Sequence, residues 1–187
     1  MKYAITGGIG AGKSFVSRYL LQYGIEVYDC DKEAKRLMAT DKVLQRRLSD
    51  AVGEEIFPNG VLSKDVLTRF LLSSPENNAI INSIVHPSVA NDFLNSGKTW
   101  MESAILYEAN FERYVDKVVC VTAPYHIRLQ RIVARDNIIS ERAKEWIERQ
   151  MPQEEKALRS DYIILNDGIT PIAPQIERII LQDMQGI

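Results

Sequence analysis

The chain has 187 residues, 45% of them hydrophobic and 26% charged, with a formal net charge of −2 at pH 7. That length suits one compact domain with room for an inserted subdomain, and the near-zero charge excludes wholesale binding to nucleic acid or to an anionic membrane surface. No apolar run approaches the roughly 18 residues a membrane helix needs, and the early glycines and Lys13 do not suit the apolar core of a signal peptide. The expectation is a cytoplasmic protein with no membrane segment and no obligate protein partner evident.

Taken in chain order, "YAIT" at 3–6 is a short β-prone run that stops at glycines, the mark of a buried strand. "TGGIGAGKSF" follows at 6–15 and contains Gly7-x-x-x-x-Gly12-Lys13-Ser14, the phosphate-loop pattern between a strand and a helix. Glycines let the backbone turn tightly and aim several N–H groups inward as an anion nest. The helix expected over 13–21 adds its positive end. Lys13 then reaches the β- and γ-phosphates and the Ser14 hydroxyl meets Mg²⁺. The nucleotide cradle comprises Gly7, Gly8, Ile9, Gly10, Ala11, Gly12, Lys13, Ser14 and Phe15.

"IEVYD" reads as a second buried strand, ending at Asp29. Residues 31–97 form a long, polar, mostly helical interval, an insertion before the third strand. It holds an "FPNG" turn at 57–60, a helix start at Ser74-Pro75-Glu76, and an expected helix break at His86-Pro87. "KTWMESA" at 98–104, "KVVCVTA" at 117–123 and "YIIL" at 162–165 supply three more strands. Between the last two, 124–159 is arginine-rich and reads as a helical flap. Buried runs alternating with helices imply an α/β fold with a parallel sheet covered on both faces. The two cysteines, Cys30 and Cys120, show neither a disulfide framework nor a metal pattern, and Cys120 in "VVCVT" packs as a small hydrophobe.

Three functions use such a loop: a small-molecule kinase, a GTPase switch, and an ATPase that drives a partner. Asn-Lys-x-Asp, which would read guanine, does not occur, and the Asp-x-x-Gly at 50–53 lies in an amphipathic helical stretch. The extra length falls between sheet strands, where a substrate-binding insertion and a lid would sit, and this favours the kinase. Asp29 and Asp31 stand two apart at the end of strand two, where open α/β sheets bind ligands. A kinase needs a carboxylate beside the attacking hydroxyl. Asp31 suits that base, and Asp29 suits a helix cap or the Mg²⁺ side. Arg131 and Arg135 are four apart and share a helix face, as phosphoryl-clamping lid arginines would. Arg128 and Arg142 are expected to be solvated.

"TGGIGAGKS", "YDCDKEAKRL", "IVHP", "SAILYE", "LQRIVARDN", "RQMPQEEK" and "SDYIILNDG", in that order, resemble the dephospho-CoA kinase family over nearly the whole chain. The resemblance implies a three-layer P-loop kinase fold with a five-stranded parallel sheet. Its core would be 1–30, 98–123 and 160–187, its helical CoA-binding insertion 31–97 and its lid 124–159. It implies that ATP phosphorylates the ribose 3′-hydroxyl of dephospho-CoA; a kinase of another nucleoside or nucleotide-like acceptor is the alternative. It further implies Asp31, Lys13 and Arg135 as catalytic residues, and Asp31, His86, Tyr107, Glu108 and Arg131 as acceptor contacts. Ser14 and, through water, Glu102 would serve Mg²⁺; Arg135, Asn166 and Gly168 would join the ATP site. The chain departs from the family pattern at Phe15, where threonine is common, at Ala104, where proline is, and at Leu165, where a polar residue is.

Overall fold

A computed structural model describes residues 1–184; the last three residues of the expected core segment 160–187 lie outside them. Two compact units form, Met1–Tyr28 with the chain from Lys98 onward, and Asp29–Gly97.

The elements run β1 (Tyr3–Thr6), α1 (Lys13–Leu20), β2 (Val27–Asp29), α2 (Cys30–Thr40), α3 (Lys42–Val52), α4 (Lys64–Ser73), α5 (Asn77–Asn95), β3 (Trp100–Glu102), β4 (Lys117–Thr122), α6 (Tyr125–Asp136), α7 (Ser140–Glu148), α8 (Gln153–Leu158), β5 (Tyr162–Leu165) and α9 (Ile172–Met184). The five strands make one parallel sheet in the order β2-β3-β1-β4-β5. β1 is central, and β3 and β4 leave it on opposite sides. Such a reversal of strand order opens a crevice beyond the carboxyl ends of the strands, where ligands of this architecture sit. The phosphate loop leaves β1 at that point.

Register explains the two faces. Ile5 aligns with Val119, and Val119 with Tyr162. With Tyr3, Trp100, Val121 and Ile164 these side chains meet Val16 and Leu20 of α1 and Ile176 and Ile179 of α9. The Tyr3 and Trp100 rings stack at 4.4 Å. Ala4, Met101, Val118 and Cys120 are buried on the opposite face. Both cysteines are buried free thiols, and burial pushes the Cys120 thiol up to about 11.

In the second unit, Asp41 caps α3 by accepting from the backbone N–H groups of Val43 and Leu44. The Gln45 amide donates to the carbonyls of Met38 and Ala39 at the end of α2, so the turn between these helices satisfies its own polar groups. Arg36 pairs with Glu33 and, at 2.6 Å, with Asp92. The helix expected to start at Ser74-Pro75-Glu76 starts instead at Asn77, after a turn at Pro75 and Glu76. The break expected at His86-Pro87 does not occur: α5 runs through Pro87. An interior proline costs about 3 kcal/mol. Ile81, Val85, Val89 and Phe93 are buried on this helix, and burial of each such side chain contributes roughly 1.5–3 kcal/mol, which outweighs that cost.

Candidate active site

The loop between β1 and α1 is held by close backbone contacts. Gly7 has φ 142°, and a Cβ there would stand 2.2 Å from the Val121 carbonyl oxygen. Gly12 has φ 94°, and a Cβ would meet the Asn166 side-chain nitrogen at 2.1 Å. Both positions thus require glycine for conformation and for space. α1 starts when the N–H groups of Phe15 and Val16 donate to the Gly12 carbonyl. Lys13 is only 9% exposed, and its Nζ donates to the carbonyls of Gly7 (3.1 Å) and Gly8 (3.4 Å). The ammonium therefore lies over the loop it serves. Phe15, the departure from the family pattern, leaves its ring half exposed.

Glu102 ends β3, next to Ile5 of β1. One carboxylate oxygen accepts from Ser14 Oγ at 2.9 Å and the other from Ser17 Oγ at 2.6 Å. Ser14 and Ser17 are three apart on α1, so one acid reaches both. The structure thereby brings together Ser14 and Glu102, two oxygen donors separated by 88 positions.

α6 runs beside the loop. Arg131 donates to the Gly10 and Ala11 carbonyls (3.4 Å each) and to the Asn166 carbonyl (3.0 Å) and side-chain oxygen (3.3 Å). Asn166 is buried and donates through Nδ2 to the Ala11 carbonyl at 2.8 Å. Arg131 thus ties the loop to the segment after β5, where exposed Gly168 takes φ 84°. Arg135 does not share its partners: it is exposed and pairs with Asp136 at 2.7 Å. Arg142 is exposed, near the Trp146 ring. Arg128 corrects the expectation of a solvated side chain. It is 5% exposed and donates through Nε to the Ile9 carbonyl at 3.0 Å. Helical spacing placed it on α6 but not against the loop. Gln150 was also missed: its Oε1 accepts from the Ile9 N–H at 2.9 Å. Nothing local in "ERQMP" signals a contact 141 residues away. Gln153 closes the base of 124–159 by accepting from the Ala123 N–H and donating to the Ala123 carbonyl.

Tyr107 and Glu108, expected to touch the acceptor, make these contacts within the protein. Tyr107 is buried, its hydroxyl 2.9 Å from Ser160 Oγ and its ring 4.0 Å under the Arg159 guanidinium. Burial raises its pKa. Glu108 accepts from the Met151 N–H at 3.1 Å and pairs at 2.9 Å with Lys156, whose side chain is 0% exposed. A buried ammonium left without its carboxylate is strongly destabilising. Glu108→Gln is expected to cost about 3 kcal/mol, a fall of roughly 6–12 °C in Tm for a chain of this size, measured by thermal unfolding. Glu108→Leu with Lys156→Met is expected to recover most of it.

In the second unit Asp29 is the N-cap of α2, accepting from the Lys32 N–H at 2.9 Å. Asp31 lies exposed in the first turn of that helix. His86 is half-buried on α5, and burial holds its pKa below the ordinary value, so the ring is uncharged near neutral pH.

Comparison with known proteins gives the family. A family model described as dephospho-CoA kinase matches residues 1–171. A Bacteroides fragilis protein named dephospho-CoA kinase is 42% identical over 191 residues, covering 96% of this chain and 91% of its own. One of the same name from Porphyromonas gingivalis is 37% identical, covering 94% and 91%. A crystal structure from Thermus thermophilus superposes with a TM-score of 0.82 at 28% identity, over 98% of this chain and 97% of that one. A phosphate loop joined to Glu102, an acid after β2 and a match across both units leave one conclusion: the chain belongs to the dephospho-CoA kinase family.

Proposed function

We propose that this chain transfers the γ-phosphoryl group of ATP to the ribose 3′-hydroxyl of dephospho-CoA, giving CoA and ADP, the last step of coenzyme A biosynthesis. The observation that carries the reading is the phosphate loop with Lys13 laid over it and Ser14 against Glu102, in a chain that matches the family model over 171 residues.

The roles follow from chemistry. The loop amides and Lys13 hold the β- and γ-phosphates. Ser14 and Glu102 offer a hydroxyl and a carboxylate, the hard oxygen donors that suit Mg²⁺. Among the described residues no group of three or more acidic, histidine or cysteine side chains could hold a metal by itself, which fits an ion shared with substrate phosphates. When bound, that ion neutralises charge on the phosphate oxygens. Asp31 takes the proton of the 3′-hydroxyl as its oxygen bonds to the γ-phosphorus and the bond to ADP breaks. His86, uncharged, offers the acceptor a hydrogen bond. Arg135, exposed at the end of α6 and paired with its neighbour Asp136, supplies positive charge to the transferring group. Gly168, exposed after β5, presents backbone to the adenine, and Asn166, whose own N–H and carbonyl are held by Thr122 and Arg131, positions the loop beside it. The reading carries a cytoplasmic setting with it; the two free thiols and the lack, among the described residues, of a helix long and apolar enough to cross a membrane are in keeping.

The test is an acceptor series with ATP and Mg²⁺: dephospho-CoA, nucleosides and nucleoside monophosphates, with ADP and phosphorylated product followed together. ADP and CoA are expected in equal amounts from dephospho-CoA alone. Preferred turnover of a nucleoside would move the assignment to another acceptor, and ADP release without any acceptor would make the protein an ATPase.

A further inference from the structure

Arg128 is the one arginine of α6 whose environment its established neighbours do not explain. Its side chain is 5% exposed. Nε donates to the Ile9 carbonyl, and a terminal nitrogen would stand 2.4 Å from a Cβ built on Gly8. The guanidinium therefore lies directly against the Gly8 backbone, in space only glycine leaves open. Among the described residues it makes no ion pair; Glu154 contributes a field from beyond ion-pair distance, and burial lowers the pKa. An uncompensated buried charge is costly, and proteins retain one where a ligand neutralises it.

The place identifies the ligand. Lys13 Nζ donates to the carbonyl of the same Gly8, and the lysine of such a loop serves the β/γ end of the nucleotide. Two cations thus converge on Gly8. The Ile9 peptide groups are held on both sides, the carbonyl by Arg128 and the N–H by Gln150, so Arg128 is fixed to the loop and follows it. A guanidinium with its terminal nitrogens uncommitted is a planar fork for phosphate oxygens.

We infer that Arg128 binds the γ-phosphate of the bound nucleotide and so separates nucleoside triphosphate from diphosphate. The inference rests on the loop being the donor-nucleotide site. Once the γ-phosphoryl group has left, the Arg128 charge is again uncompensated, which favours release of the diphosphate.

ATP and ADP are titrated, without acceptor, into the wild-type protein, Arg128→Gln and Arg128→Lys, with thermal unfolding alongside. Gln keeps a donor for the Ile9 carbonyl and loses the charge; Lys keeps the charge and loses the fork. Arg128→Gln is expected to weaken ATP roughly 10- to 100-fold, the worth of a charged hydrogen-bonded contact, and to leave ADP within about threefold. Arg128→Lys is expected to weaken ATP by less, again selectively. Parallel losses for both nucleotides, or no loss, overturn the inference while the donor site stands. A wild-type protein that binds neither nucleotide overturns the donor site itself. If Arg128→Gln does not fold, Arg128→Lys carries the same comparison: selective weakening of ATP supports the inference and parallel weakening overturns it.

Discussion

Asp31→Asn is expected to bind ATP as the wild type does and to lose phosphoryl transfer by on the order of 10²–10⁴, the usual cost of removing a general base. The substitution is well isolated. Asp31 is exposed in the first turn of α2, but it does not cap that helix; Asp29 does, through the Lys32 N–H. Asparagine keeps the shape and removes only the charge. The lost interaction with the positive end of the helix is worth about 0.3–1 kcal/mol, too little to unfold the chain. Asp29→Asn is the control, because asparagine caps a helix about as well as aspartate, and its turnover is expected to stay near wild type. Single-turnover rates at saturating ATP and dephospho-CoA, beside an ATP titration, separate chemistry from binding. Near wild-type transfer by Asp31→Asn sinks the assignment, and a comparable loss in Asp29→Asn moves the base to the neighbouring acid.

What could be read from the sequence was local. The phosphate loop is eight consecutive residues whose types are dictated by backbone geometry, so Gly7, Gly12, Lys13 and Ser14 are found where the pattern puts them. The strands 3–6 and 117–122 were legible because buried parallel strands read as continuous apolar runs; 162–165 is an equally apolar run, although Ile163 and Leu165 stand exposed at the sheet edge. Strand three shrinks from the expected seven residues to Trp100–Glu102, since Lys98 and Gly97 precede it and a turn follows. Pro87 misled because a dipeptide rule does not know what the rest of a helix buries.

The site residues that escaped all depend on pairing across long separations. A lysine in "PQEEKAL" reads as solvated, yet Lys156 is fully buried because Glu108, 48 residues earlier, faces it. Arg128, in a run with Arg131 and Arg135, reads as one more surface cation until the fold sets it on Gly8. Periodicity assigns a helix face; it does not tell which face meets the protein and which meets water. That distinction sorts the arginines here: Arg128, expected to be solvated, touches the loop, and Arg135 is the most open of the three.

Lys13→Met is expected to lower turnover by on the order of 10²–10³, the loss seen when one preorganised donor to developing charge is removed. Its effect on the fold is expected to be small, and the contrast between the two is what makes it informative. Methionine is unbranched and of similar length, so it fills the 9%-exposed slot that the lysine stem occupies. What the resting protein loses is a donor to the carbonyls of Gly7 and Gly8, about 1 kcal/mol and so roughly 2–4 °C in Tm. Those carbonyls remain bounded by the loop's other restraints: Arg131 on Gly10 and Ala11, Arg128 and Gln150 on Ile9. The loop should therefore hold its shape while losing the cation that stabilises charge on the transferring group. Turnover and ATP affinity, measured with thermal unfolding, distinguish the cases. A large drop in turnover with a small change in Tm marks Lys13 as acting on the phosphates. A drop in Tm well beyond that range would make it a structural strut of the loop, and Arg128 would then be the principal cation at the terminal phosphate.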